Sequence, residues 1–246
     1  MTEELYLGAY WGPRKESARS CAGRALRFLN GLAECETLFA CWYQTGRSRK
    51  EALSRKVIIT EECLEELFLK GVNRRDSDKS VIEDLGYLVF LWTEHEQREA
   101  VNLSFTCSCW FPEIPNSCVL TFPSQGESRG RLLQASMAER LLRLAVECWE
   151  PDWGTVCSHE LRDAMLTPLD GIQVGWLTYV SSGRRTVPAM APPSKVIAID
   201  NRGWLIVTTE EQFSSSNPAH VEQARRIVAA LRRARIISRK SRDPVD

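Results

Sequence analysis

The sequence predicts an α+β fold: a single compact domain with a largely antiparallel sheet packed against amphipathic helices. Three observations lead there. The chain has 246 residues, 43% of them hydrophobic and 26% charged, which is ordinary composition for one large globular domain. Strand-like and helix-like stretches interleave along it, and several consecutive strands are joined by segments too short for a parallel crossover. Ala100–Trp110 alternates without a break: Val101, Leu103, Phe105, Cys107 and Cys109 point one way, Asn102, Ser104, Thr106 and Ser108 the other. A division into two parts near residue 128, after the polar linker Ser124–Arg129, is the alternative organisation.

Taken in order, Leu5–Tyr10 reads as a short strand, and Gly12-Pro13 breaks it and opens a helix with Pro13 in the first turn. Ala18, Cys21, Ala22, Ala25, Leu29 and Leu32 recur at three- and four-residue steps and give that helix one buried face. Thr37–Tyr43 fits either a strand or a helical turn. Thr60 caps a second helix ending at Gly71, with Glu61 and Glu62 in the first turn, where the helix dipole favours them. Tyr87–Thr93 is a nearly continuous apolar run, as expected of a central strand, and Cys118–Phe122 makes another. The longest helix is expected over about Arg131–Trp149, stopped by Pro151. Trp153–Cys157, Ile172–Val180, Val196–Ile199 and Trp204–Thr208 read as four further strands. Asp200-Asn201-Arg202-Gly203 joins the last two as a hairpin. Between strands, His159–Met165 reads as a short helix and Ser182–Ser194 as a loop. Asn217-Pro218 caps a terminal helix whose buried face is Val221, Ala224, Val228, Leu231 and Ala234.

Charge and motifs exclude much. The 32 basic and 32 acidic residues cancel, which disfavours a protein built to coat nucleic acid. The start MTEELYLGAYWG has no basic, apolar and small-residue succession, so no signal peptide is expected, and no apolar run is long enough for a membrane helix. Nine cysteines, most of them set among apolar residues, then read as reduced buried thiols of a cytoplasmic protein. Cys107-x-Cys109 has no second tight pair, so no metal is expected even with His159 as a third ligand. Ser158-His159-Glu160 lacks a nucleophile elbow. None of the seven lysines has an acid two residues before it, so the (D/E)-x-K unit of restriction-type nucleases is absent. Glycine-rich phosphate loops are absent too, and no cofactor is expected. The basic segments Arg47–Lys56 and Arg225–Arg242 read as a solvated loop and a polar helix face with its tail.

Five segments in order carry a resemblance: Tyr10-Trp11-Gly12-Pro13-Arg14-Lys15-Glu16, Gly46-Arg47-Ser48-Arg49-Lys50-Glu51-Ala52, Asn73-Arg74-Arg75-Asp76, Trp149-Glu150-Pro151-Asp152-Trp153 and Gly175-Trp176-Leu177-Thr178-Tyr179. Together they resemble the immunity protein 52 family of bacterial polymorphic-toxin systems. The resemblance implies a non-enzymatic cytoplasmic protein, encoded beside a secreted antibacterial toxin, that binds and neutralises it. It further implies a nuclease toxin of restriction-endonuclease-like fold delivered by a type VI or related secretion system. The partner is then the toxin itself, with neither nucleic acid nor membrane bound directly.

A nuclease presents a basic groove, which carboxylates and a few aromatic anchors would match. The candidate toxin-binding residues on that reasoning are Glu94, Glu96 and Glu99 beside a strand corner, with Glu150, Asp152 and Asp163. Trp149 and Trp153, at a helix-to-strand corner, are the aromatic candidates. Blocking an allosteric or oligomerisation surface of the toxin is equally open. Two other classes remain on the sequence: an adaptor or regulator binding something other than a toxin, and an enzyme with dispersed catalytic residues.

Overall fold

Strand β1 (Leu5–Trp11) is the axis of the molecule, because it pairs on one side with a strand of the N-terminal half and on the other with a strand of the C-terminal half. The structure, a computed structural model, describes residues 3–96, 98–165 and 171–237. After β1 come α1 (Ala18–Cys35), a 3₁₀ turn (Thr37–Phe39), β2 (Tyr43–Gln44), α2 (Arg49–Leu53) and α3 (Glu61–Lys70). Then follow β3 (Tyr87–Trp92), β4 (Asn102–Cys107), β5 (Asn116–Thr121), α4 (Glu127–Leu132) and α5 (Ala135–Trp149). The C-terminal part holds β6 (Trp153–Ser158), α6 (His159–Met165), β7 (Leu177–Ser181), β8 (Lys195–Ile199), β9 (Gly203–Val207) and α7 (Pro218–Arg233). The nine strands form one sheet in the order β2-β3-β4-β5-β1-β6-β7-β9-β8, and every neighbouring pair is antiparallel.

Helices α1, α3 and α5 layer one face of this sheet. The expected stripe of α1 is buried, with Phe28 added to it. On the sheet side, alternation delivers Leu5, Leu7, Ala9 and Trp11 of β1 to the same core as Leu103, Phe105 and Cys107 of β4. Side chains that cap helices act as the sequence indicates: Thr60 Oγ1 accepts from Cys63 N, and Asn217 accepts from Ala219 N with Pro218 at the helix start. The Asp200–Gly203 hairpin joins β8 to β9, Asp200 and Gly203 both taking positive φ (41° and 154°).

Several expectations are corrected. Pro13 does not open α1; residues 12–17 lie outside any helix or strand, and Ser17, itself extended, caps the helix by accepting from Ser20 N. The long helix is two, because Leu132 and Leu133 are both buried and the extended backbone of Gln134 (ψ 139°) separates α4 from α5. Thr37–Tyr43 becomes a 3₁₀ turn followed by the first residue of a two-residue strand. Only Leu177 onward of Ile172–Val180 joins the ladder. Cys109 leaves the β4 face because Ser108 adopts φ 60°. Of the basic tail to Arg242, the part beyond residue 237 lies outside the described residues.

The most consequential correction concerns β3. It is next to the short edge strand β2, and a central strand's two-sided burial does not apply to it. Tyr87, Val89 and Leu91 face the helices. Leu88, Phe90 and Trp92 face the opposite side, where Leu88 is 37% and Phe90 50% exposed. That side of the sheet is open across β3, β4 and β5: Ser104, Thr106, Ser117, Val119 and Thr121 are all partly exposed. Across β6, β7 and β9 the same side is covered, and Thr155, Thr178, Val180 and Ile206 are fully buried. There α6 begins with His159 stacked on Tyr6 at 5.0 Å, and Gly171 abuts Trp153.

Candidate partner-binding surface

Two of the segments that carry the family resemblance meet in space. Gly12 N donates to Asp152 Oδ2 (2.8 Å), Asp152 N donates to Tyr10 O (2.8 Å), and the Trp11 ring stacks on Trp149 at 5.4 Å. Arg14 lies over the Trp11 ring and donates to the Trp149 carbonyl (3.0 Å) and to Glu16 (2.9 Å). Arg24 of α1 joins this group by donating to Glu16 (2.9 Å), the Cys148 carbonyl (2.9 Å) and Glu150 (3.0 Å). Glu16 is also held through its backbone, which exchanges two hydrogen bonds with Ser108 Oγ. Glu150 ends α5 in the left-handed conformation, φ 49°, and the hydrogen bond from Arg24 holds its carboxyl below the usual range. These two segments therefore lock α1, α5 and one end of the sheet together.

The candidate toxin-binding residues fall at opposite ends of the strands. Trp149, Glu150, Asp152 and Trp153 lie at the end where β1 finishes and β6 begins. Glu94, Glu96 and Glu99 follow β3 at the other end, and α6 carries Asp163 from the far end of β6. A six-residue strand separates the groups by about 20 Å. Within the first group, Trp149 is fully buried against Trp11, Phe105 and Phe28, so its ring offers no surface. Trp153, stacked on Tyr10 at 4.2 Å, is only partly buried and keeps some surface at that corner. Glu150 is engaged by Arg24 and Arg202, and Asp152 by Gly12. In the second group, Glu94 accepts from Tyr43 Oη (2.6 Å), which pushes that phenol up to about 12. Glu96 is exposed, and Glu99 packs over Gly126. Asp163 is exposed beside Arg162.

Beside that second corner lies a surface which sequence reasoning missed. Its signal was there: β3 is apolar at every position, whereas β4 alternates. Trp92 forms the floor of a recess of about 460 Å³, walled by Arg47, Ser48 and Arg49 and by Asn102 of β4. Ser48 caps α2 by accepting from Glu51 N, and Glu51 accepts from Arg47 N, so the third resemblance-bearing segment built into the fold here, Gly46–Ala52, shapes this wall. Asn102 also lines a neighbouring hollow with Arg98, Thr121 and Glu4. Along the strand, Phe90 and Leu88 continue the apolar strip toward Lys70 and Arg55.

The groups that sequence singled out for chemistry are apart or unactivated. Cys107 ends β4 and His159 opens α6 after β6, so β5 and β1 lie between them and they stand at opposite sheet ends. Burial pushes the thiols of Cys107 and Cys118 well up, Cys148 to about 11 and Cys157 to about 12, so none of these four is a thiolate at neutral pH. The Cys109 thiol donates to the Ile114 carbonyl at 3.5 Å. Among the described residues no group of three or more His, Cys, Asp or Glu is arranged to hold a metal ion, and no helix is long and apolar enough to cross a membrane.

Comparison with known proteins shows the family of the chain. A search of curated proteins returns no match. Among solved structures, the chain is similar to a Pseudomonas aeruginosa T6SS protein, PA0821, with a TM-score of 0.53 and 12% sequence identity over 95% of this chain and 73% of that one. At that identity the likeness is one of fold. A family model described as Immunity protein 52 matches residues 3–240, from before β1 to beyond α7. With nearly the whole chain matched, the protein belongs to the immunity protein 52 family.

Proposed function

We propose that this protein is a cytoplasmic, non-enzymatic immunity protein that binds a cognate secreted antibacterial toxin and neutralises it. The family match over residues 3–240 is the observation that carries the reading. The fold likeness to a T6SS protein is in keeping with delivery of that toxin by a type VI system. We take the toxin to be a nuclease of restriction-endonuclease-like fold. Its protector then needs no chemistry of its own, and the raised thiols and the absence of a (D/E)-x-K unit suit that role. Nine free cysteines, six of them buried, suit a reducing compartment.

Of the candidate residues, Glu94, Glu96 and Glu99 are grouped at one corner beside the open sheet face, where they would steer a basic toxin toward it. Asp163 stands exposed at the same sheet end, and Trp153 is the aromatic candidate with surface to offer. The test is co-expression with the product of the adjacent gene. A stoichiometric complex that silences DNA or RNA cleavage is expected. Absence of a complex, or cleavage that continues within it, refutes the reading.

A further inference from the structure

An open sheet face in water is normally polar, and β4 obeys this with Asn102, Ser104 and Thr106. On the adjacent strand the same face carries Leu88, Phe90 and Trp92. Packing within the chain does not account for Leu88 and Phe90, since neither is buried by it. A contiguous exposed apolar strip rimmed by polar groups marks a protein contact. The flanking charge narrows the partner. Arg47 and Arg98 border the strip's Trp92 end, and neither has an ion-pair partner among the described residues, whereas Arg55 and Lys70 along its edge are paired with Glu51 and Glu66.

The size is adequate. Three strands, β3, β4 and β5, present a face about 20 Å by 15 Å, the centre of an interface to which the rim loops add toward the roughly 800 Å² per partner of a standard one. Nucleic acid is the less fitting occupant, because Glu4, Glu94 and Glu96 interrupt the continuous basic track a phosphate backbone needs, whereas a protein of mixed charge can set a carboxylate against each arginine.

We propose that the open face of β3, centred on Phe90 and bordered by Arg47 and Arg98, is the docking surface for the toxin, and that the toxin presents to it an apolar projection flanked by carboxylates toward the two arginines and by basic groups toward Glu94 and Glu96. The proposal rests on the immunity reading but names a surface which that reading leaves open. Phe90 and Trp92 would supply affinity as desolvated anchors, and the two arginines the encounter rate.

The test measures binding of the adjacent-gene toxin to the full chain and to three variants: Leu88→Asp/Phe90→Asp, Arg47→Glu/Arg98→Glu, and Glu62→Lys on the helical layer as control. Circular dichroism and thermal melting verify that each folds. The expected result is a Kd raised by about 30-fold or more in the first variant, a slower, less salt-dependent association in the second, and no change in the control. Unchanged toxin affinity in both face variants, with the unmodified chain binding, overturns the docking surface and leaves the immunity reading standing. Failure of the unmodified chain to bind overturns both. A single-stranded oligonucleotide that binds the chain and is lost on Phe90 substitution overturns the proposal in favour of a nucleic-acid face.

Discussion

Replacing Trp149 separates a core role from a binding role, since the sequence suggested an exposed anchor and the fold buries the ring completely. Trp149 touches three other aromatics: Trp11 stacked at 5.4 Å, Phe105 tilted at 5.0 Å and Phe28 edge-on at 6.4 Å. Trp149→Ala removes that whole contact and opens a cavity between α5 and the sheet. Large aromatic deletions of this kind destabilise by about 3–5 kcal/mol, out of a total stability of roughly 5–15 kcal/mol. The indole Nε1 is buried without a hydrogen-bond partner, so its removal returns part of a desolvation penalty and places the net effect near 4 kcal/mol. With a urea m-value of about 3 kcal/mol/M, the midpoint falls by about 1.3 M. Trp149→Phe keeps a ring in the stack and deletes the unsatisfied N–H, so its loss is only about 1–2 kcal/mol. Urea melts followed by far-UV circular dichroism and by fluorescence give both values, and coincident transitions license the two-state reading. A midpoint shift below about 0.3 M for Trp149→Ala would refute the core assignment. So would intact stability in Trp149→Phe combined with loss of toxin binding, since that pattern belongs to an exposed anchor.

Other expectations are as follows. Glu16→Gln weakens the ion pairs from Arg14 and Arg24 and lowers stability by about 1–2 kcal/mol, read as a fall in Tm of several degrees. Hydrogen bonds from Arg131 and Arg24 depress the folded-state carboxyls of Glu36 and Glu150 below their ordinary 4.5, so their contribution is present above that value and is lost as pH falls through the depressed ones. Urea midpoints between neutral and acid pH should fall less in Glu36→Gln/Glu150→Gln than in the parent, and an equal fall would deny the linkage. Gly86→Ala, at φ 59° with its Cβ aimed at the Cys107 carbonyl, destabilises the start of β3 by about 1–3 kcal/mol in the same assay. Brief alkylation without denaturant, read by mass spectrometry, should label Cys41 and Cys63 before Cys107, Cys118, Cys148 and Cys157, and early labelling of the last four would contradict their burial.

Features settled over a few residues were legible in the sequence by itself. The alternation of β4, the Thr60 and Asn217-Pro218 caps, the Asp200–Gly203 hairpin and the buried stripe of α1 each depend on neighbours within one or two turns. The family resemblance was legible for a similar reason, since it rests on short segments in order, and the match over residues 3–240 agrees with it.

Only the tertiary structure decided which strands lie side by side, and everything about the surface followed from that. With β1 between β5 and β6, the corner segments come together as an internal lock, so Trp149 and Glu150 serve the fold whereas a sequence pattern shows only aromatics beside acids. With β3 beside the short edge strand β2, the apolar run that reads as two-sided burial leaves Leu88 and Phe90 in water. Side-chain type reports that a residue favours burial. What it is buried against depends on pairing between segments tens of residues apart, and the register and order of that pairing are set by the packing of the whole sheet.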